Sequence, residues 1–318
     1  MRYVLRADAS LSIGAGHVMR SSAIAEEFIR RGEDVIFVGQ ISDLAWVEAR
    51  IASLGFSQIH SDPTKFNSNP DSDVLILDSY GIVTDNFFIA PEKWLHIIAI
   101  VDELTPSYVC TLRIHPGLDE KWTGNSRTPI LAGPKYIPFR STLASNLSLN
   151  SNEKRDLKIA VVAGGSDPYN LVNEIAIILT KIPVLFEVYL FSRSTLDSIF
   201  DSRFHIVQIG QQLDELTRDA DLILTTASTS SLEFLARGLC VGVARAVDNQ
   251  NQYYKSLGEL EVAALLGHRT LDNHWELEEQ KIITLVTSSE LRQKLKARAT
   301  GLIDFNGAGR IVDAITNL

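Results

Sequence analysis

The sequence predicts an α/β protein of two domains with mainly parallel sheets, and three observations carry that prediction. Strand-length apolar runs alternate with helix-length amphipathic segments along most of the chain. The alternation breaks once, between about residues 143 and 156, in a run rich in Ser, Asn and Lys that offers little to pack and reads as a linker. With 318 residues, the chain is long for one hydrophobic core and comfortable for two.

In the first half, strands are expected at residues 3–6, 35–39, 74–78, 97–101 and 111–114, each a short apolar run bounded by turn residues. Helices are expected at 18–31, closed by Gly32, at 44–54, and near 85–90. Three of the strands end in or near acids: Asp8, Asp78, and Asp102 with Glu103. The carboxyl ends of strands in an open α/β sheet are where ligands bind. After the linker, strands are expected at 157–163, 186–191, 205–210, 222–225 and 241–244. Helices are expected at 170–179, 214–219, 230–237 and 251–257, with further helices running to 285, over 290–298 and over 308–318. The domains follow as 1–145 and 156–300, with 301–318 a C-terminal helix that can pack back on the first domain; a cleft is expected between the carboxyl ends of the two sheets.

Composition removes several function classes. The chain is 45% hydrophobic and 22% charged, as in ordinary globular proteins. Its net charge of -9, with no basic run, argues against nucleic acid as a partner. Cys110 and Cys240 stand in apolar contexts and form neither a disulfide framework nor a zinc cluster. His60, His96, His115, His205, His268 and His274 lack metal-ligand spacing, so no metal or cofactor is expected, and each reads as a surface or strand-end residue. The apolar runs fall far short of the ~20 residues that span a bilayer, and charges break the N-terminal run, so a cytoplasmic location without stable membrane association is expected.

The stretch from Asp8 to Arg20, DASLSIGAGHVMR, joins the first strand to the first helix. Gly14 and Gly16 allow positive φ and close approach of a ligand to the main chain. The helix start offers unpaired N–H groups to a negative charge, and His17 stands there as a proton acceptor or donor. A dinucleotide fingerprint is disfavoured, since Met19 stands where its third glycine would be and Gln40 follows the second strand where an acid is expected. On the pattern alone, a site of chemistry and a plain turn with His17 at the helix start both stay open.

In the second half, Gly164-Gly165-Ser166 ends a strand and enters a helix, a phosphate cradle or a plain turn capped by Ser166 or Asp167. Hydroxyls from Thr225 to Ser231 open another helix, where Ser228, Ser230 and Ser231 can donate to a diphosphate and Glu233 can accept from ribose hydroxyls. Ser230 with Glu233 also fits a capping box, and both readings can hold together. Asn249 and Gln250 lie in a polar loop able to present amides to a sugar or base, or simply solvated.

Taken in order, GAGHVMR, DSYG, VDE, AGGSD, the SSLE helix and the C-terminal LIDFNGAGRIV resemble the PseG-type UDP-sugar hydrolases of pseudaminic acid biosynthesis, relatives of the MurG-like GT-B glycosyltransferases. The resemblance covers nearly the whole chain. It implies a GT-B arrangement of two Rossmann-like domains, with UDP held mainly by the second. It also implies His17 as catalytic acid/base with Tyr80 nearby after Asp78, and Arg140 toward the sugar side; together with the strand-end acids and the glycine turn read above, sugar-side contacts are expected at Asp8, Gly14, Gly16, Arg20, Asp78, Asp102, Glu103 and Arg140. The resemblance places the nucleotide at Gly164, Gly165 and Glu233, and the cradle reading adds Ser166. The expected reaction is hydrolysis of a UDP-linked diacetamido deoxy-sugar at its anomeric carbon, with Asp8 or Asp102 hydrogen-bonding the sugar or steadying the imidazolium. A glycosyltransferase using a UDP-amino-sugar donor is the alternative, and a non-catalytic nucleotide-sugar binding module is the third reading.

Overall fold

The computed structural model describes residues 1–79, 87–102, 108–122, 127–146, 155–165, 167–192, 201–208 and 212–318. The chain divides into two compact units, Met1–Ser141 with Asp304–Leu318, and Thr142–Ile303. In the first unit the order is β1 (Arg2–Ala7), α1 (Gly16–Arg30), β2 (Asp34–Val38), α2 (Ala45–Ser53), β3 (Gln58–His60), β4 (Asp73–Asp78), β5 (His96–Ile100), β6 (Leu112–His115) and β7 (Ile130–Ala132). These strands form one parallel sheet in the order β3-β2-β1-β4-β5-β6-β7.

β1 is central, and its residues after Arg2 are buried on both faces, as a near-continuous apolar run requires. Tyr3, Leu5 and Ala7 join the core beneath α1, together with Val74 and Ile76 of β4. Val4, Leu75 and Leu77 pack on the other face with Phe66, Phe88 and Trp94. α1 buries Ser21, Ser22, Ala23 and Ala25, small residues that let a helix lie close on a sheet, and Phe28 stacks on Tyr3 at 3.9 Å.

The second unit repeats the plan. It runs β8 (Leu157–Val162), α3 (Leu171–Thr180), β9 (Phe186–Ser192), β10 (Phe204–Gln208), α4 (Leu213–Thr217), β11 (Leu222–Thr226), α5 (Thr229–Ala236) and β12 (Val241–Arg245). α6 (Asn251–Glu259), β13 (Ala264–Arg269), β14 (Trp275–Leu277), α7 (Glu279–Thr287) and α8 (Ser289–Ala299) complete it. The sheet order is β10-β9-β8-β11-β12-β13-β14, parallel except for the antiparallel β13–β14 pair. In each sheet the winding direction reverses once, between β1 and β4 and between β8 and β11, and such reversal points are where open α/β sheets bind ligands.

The structure corrects several expectations. Helix was expected from about 258 to 285, but β13 and β14 intervene, because an apolar run such as Ala264-Leu265-Leu266 has no period of its own and takes its conformation from pairing with β12. Of the helix expected near 85–90, Phe87–Ile89 is a single 3₁₀ turn whose aromatic rings collapse onto Trp94, at 5.7 and 5.9 Å; residues 85 and 86 lie outside the described residues. Within the expected linker, residues 147–154 are likewise outside them. Among the described residues no helix is long and apolar enough to cross a membrane.

α9 (Gly307–Thr316) packs against α1, where Arg31 donates to Asp313 at 2.6 Å and to the Gly309 carbonyl at 3.2 Å. Its first residue approaches the main chain so closely that a Cβ on Gly307 would stand 2.0 Å from the Ile137 oxygen. Gly307→Ala is therefore expected to lower stability by about 1–3 kcal/mol or more, measured as a fall in the thermal unfolding midpoint; an unchanged midpoint would show that α9 can dock without this backbone contact.

Candidate functional site

The turn from β1 into α1 reverses on Gly14, whose φ of +83° suits glycine and whose N–H donates to the Ser10 carbonyl at 2.7 Å. α1 then starts at Gly16, two residues earlier than expected, and no side chain caps its N-terminus at Ala15. His17 thus lies in the first helical turn, with Arg20 and Ser21 three and four residues on and on the same face. That face meets Asp78, the last residue of β4, and Asp102, just beyond β5.

Contacts within this group are short and numerous. His17 Nδ1 lies 2.5 Å from Asp78 Oδ1. Arg20 donates to Asp78 through Nε at 2.6 Å and Nη2 at 2.7 Å, and to Asp102 through Nη1 at 2.6 Å and Nη2 at 2.9 Å. Ser21 Oγ donates to Asp78 Oδ2 at 3.2 Å. Arg20 Nη2 is also 3.3 Å from His17 Nδ1, but its two hydrogens are already given to the two carboxylates, so it has none for the imidazole. Nδ1–H must therefore donate to Asp78, and the neutral ring carries its basic lone pair on Nε2.

Burial of these groups is nearly complete, with accessibilities of 8% for His17, 6% for Arg20, 0% for Asp78 and 5% for Asp102. Burial works against both charges, yet the two carboxylates hold the Arg20 guanidinium well above its ordinary pKa. Burial likewise opposes ionisation of Asp78, but Arg20 and His17 outweigh it and hold that carboxyl below the usual range. One guanidinium against two carboxylates leaves the cluster beside the imidazole with one excess negative charge.

Other expected sugar-side residues fall elsewhere. Asp8 accepts from Arg6 Nη1 at 2.5 Å and from the Gln40 N–H at 2.8 Å. It follows Ala7, which faces α1, so strand alternation turns it to the opposite face, and the carboxylate steadying His17 is Asp78. Arg20, 6% accessible, gives four of its five N–H donors to Asp78 and Asp102 and so acts as their counter-ion. Arg140 stands near Arg50, whose pKa is depressed by burial and then by Arg140's like charge, and Arg50 pairs with Glu26, roughly two and a half helical turns beyond His17. Tyr80 and Glu103 lie outside the described residues.

In the second unit, Gly164 and Gly165 form the turn after β8, and Ser166 lies outside the described residues. Asp167 accepts from the N–H groups of Leu171 and Val172 at 2.9 and 3.1 Å, so an acid already occupies the start of α3 and the glycine turn lacks that helix as an anion site. α5 differs. It starts at Thr229, one residue before the expected 230, and its N-cap is Ser228, two residues before the expected Ser230, so Ser230 and Glu233 do not form the capping box. Ser228 makes no side-chain cap; its Oγ lies 3.1 Å from Thr226 Oγ1, and Ser231 Oγ donates to the Ser228 carbonyl at 2.7 Å. Glu233 is half-buried one turn into α5. Asn249 is exposed in a 3₁₀ turn, while Gln250 folds back to accept from the Ala246 N–H at 2.8 Å. Among the described residues no group of three His, Cys, Asp or Glu side chains could hold a metal ion.

No protein-family model matches the sequence. An uncharacterized protein of Methanocaldococcus jannaschii is 26% identical over 286 residues, covering 80% of this chain and 57% of the relative. The chain thus spans little more than half the length of that curated relative. Among solved structures, MurG of Acinetobacter baumannii matches with a TM-score of 0.67 at 14% identity over 100% of both chains. A calicheamicin glycosyltransferase matches with a TM-score of 0.63 at 13% identity, over 100% of this chain and 98% of the other. A spinosyn rhamnosyltransferase complexed with thymidine diphosphate gives 0.64 at 11% identity, over 98% and 100%. The fold is GT-B. Identities this low speak for the fold alone.

Sequence reasoning offered Asp167 as one of two caps for α3, and the structure shows Asp167 in that place; it missed Ser21 as a donor to Asp78 and the burial of His115. The spacing of Ser21 from His17 could have shown the first. His115, at the end of β6, is 2% accessible, bonds the Val101 carbonyl through Nδ1 at 3.1 Å and stacks on Trp122 at 4.5 Å. Burial depresses its pKa below the ordinary 6.5, against the smaller opposing effects of the Val101 carbonyl, Asp102 and Asp119.

Two predictions follow from these charges. Arg20→Met leaves two buried carboxylates uncompensated and is expected to cost about 3–5 kcal/mol, read as a lower urea midpoint at neutral pH. The unfolded chain protonates His115 near pH 6.5 while the folded chain does so only at lower pH, so stability is lost as pH falls below about 6.5 through the depressed value. In His115→Gln that part of the pH slope should vanish, and an identical slope in both proteins would refute the assignment.

Proposed function

We propose that the protein is a nucleotide-sugar hydrolase that cleaves a UDP-linked diacetamido deoxy-sugar at its anomeric carbon, in nonulosonic acid biosynthesis of the pseudaminic type. The first unit supplies the chemistry and the second holds the nucleotide. The observation that carries the reading is the His17–Asp78 contact at the reversal point of the first sheet, with Arg20 barred from donating to the ring. The ordered motif set around it favours water as the nucleophile.

In this mechanism His17 Nε2 takes a proton from a water as its oxygen bonds to the anomeric carbon. The bond from that carbon to the diphosphate oxygen breaks, and its electron pair leaves with UDP. Asp78 keeps Nδ1–H in place and then faces an imidazolium, whose charge cancels the excess negative charge of the buried cluster. In the second unit, the open start of α5 with the Ser228 and Ser230 hydroxyls receives the diphosphate, and Glu233 the ribose, while Ser231, buried and with its hydroxyl hydrogen given to the Ser228 carbonyl, braces the turn instead of binding the ligand. Gly164, Gly165, Asn249 and Gln250 border the carboxyl ends of neighbouring strands and are proposed as further nucleotide contacts. Tyr80, two residues beyond Asp78, is proposed to orient His17 or the water.

A transferase reading is favoured by one observation, that the solved structures sharing this fold include glycosyltransferases. It uses the same base with an acceptor hydroxyl in place of water. The deciding experiment incubates UDP-diacetamido sugars with the protein alone and follows UDP and free sugar by mass spectrometry. Release without acceptor is expected. No release, with release restored by an added acceptor, would replace hydrolysis by transfer. His17→Asn is expected to bind UDP as before and to lose about 10²–10⁴ in turnover; turnover near wild type would remove His17 from the mechanism.

A further inference from the structure

Arg245 ends β12 at the carboxyl edge of the second sheet, one strand away from the turn that opens α5. Strand register sets this proximity. Thr226 pairs with Ala244, and the Ala227 N–H donates to the Ala244 carbonyl at 2.9 Å, so Arg245 leaves the sheet beside Ala227 and Ser228. Alternation sets its direction. Ala244 belongs to the core that includes α3 and α7, and a Cβ on Gly242 would meet Leu285 of α7, so Arg245 projects from the opposite face.

That face carries α6, whose first residue, Asn251, accepts from Arg245 Nη1 through its amide oxygen. α5 packs on β11 and β12 while its Leu232, Phe234 and Leu235 stay out of the α3–α7 core, and the right-handed β11–α5–β12 crossover places it on the Arg245 side as well. Arg245 is half-buried as a residue, and among the described residues no acid is seen to pair with its guanidinium. A neutral amide orients it and uses one of its five N–H donors. A directed positive charge without a carboxylate, next to hydroxyls and a helix start with no side-chain cap, is arranged for an anion.

We infer that Arg245 grips the diphosphate of the bound nucleotide and opposes the charge that develops on it as the sugar leaves. The inference rests on the nucleotide-sugar reading above. It assigns the cation of the leaving-group site to a residue that no glycine- or serine-rich motif marks. Its fork reaches phosphate oxygens rather than the base or ribose, so its effect depends on the phosphates of the ligand.

Calorimetric titration with UDP and with uridine tests this on the full chain. Arg245→Gln is expected to weaken UDP at least about tenfold, the scale of a hydrogen bond to a charged group, and to leave uridine within twofold. Asn251→Asp keeps the arginine but gives it the carboxylate it lacks, and should weaken UDP by at least about threefold with uridine unaffected. An unchanged UDP affinity in either folded variant overturns the inference while leaving the nucleotide reading intact. Wild-type protein that binds neither UDP nor uridine overturns both.

Discussion

One guanidinium shared by two buried carboxylates sets the geometry of the first unit. Three charges removed from water are costly, and the arrangement holds only because Arg20 gives two hydrogen bonds to Asp78 and two to Asp102. These bonds fix how deeply α1 seats and which way it is turned over β4 and β5. His17 follows from that docking, since it shares the helix face of Arg20 and meets the same Asp78. Helix packing and preparation of the imidazole are thus a single constraint, and Arg20 decides the proton's place on the ring by having no hydrogen left for it.

The two units share a winding pattern but use their helix starts differently. In the first, the helix at the reversal point begins without a side-chain cap and carries the histidine. In the second, the helix after β8 is closed by Asp167, and the uncapped start belongs to α5 on the other strand at the reversal. A carboxylate at one helix start and none at the other is a local electrostatic choice, and it moves the favourable place for an anion from the glycine turn to the serine turn. The sequence offers both turns, the hydroxyl-rich one from Thr225 to Ser231 the more tellingly.

Strand alternation explains why acids that look alike in the sequence part company in the fold. Asp8 and Asp78 both end central strands. Asp78 continues the Val74 and Ile76 face toward α1, whereas Asp8 continues the Val4 and Arg6 face and is held by Arg6. Arg140 suffers a similar fate, drawn to the Arg50 and Glu26 side of α1 far along the helix from His17. The short strands β3, β7 and β14 and the run that becomes β13 carry too few residues, or too uniform an apolar pattern, to announce themselves; their conformation comes from the neighbour they pair with.

By itself the sequence determined the α/β class, the central strands, the division into two halves and the turn on Gly14 that leads to His17, because these are written in local periodicity and in the positive φ that Gly14 takes, whereas Gly16 turned out to be an ordinary first residue of α1. Only the tertiary structure decided that Asp78 serves His17, that Arg20 is an internal counter-ion, that α3 is closed while α5 is open, and that Arg245 stands beside α5. Each of these depends on which face of a strand meets which helix, a relation between residues tens of positions apart that no local pattern encodes.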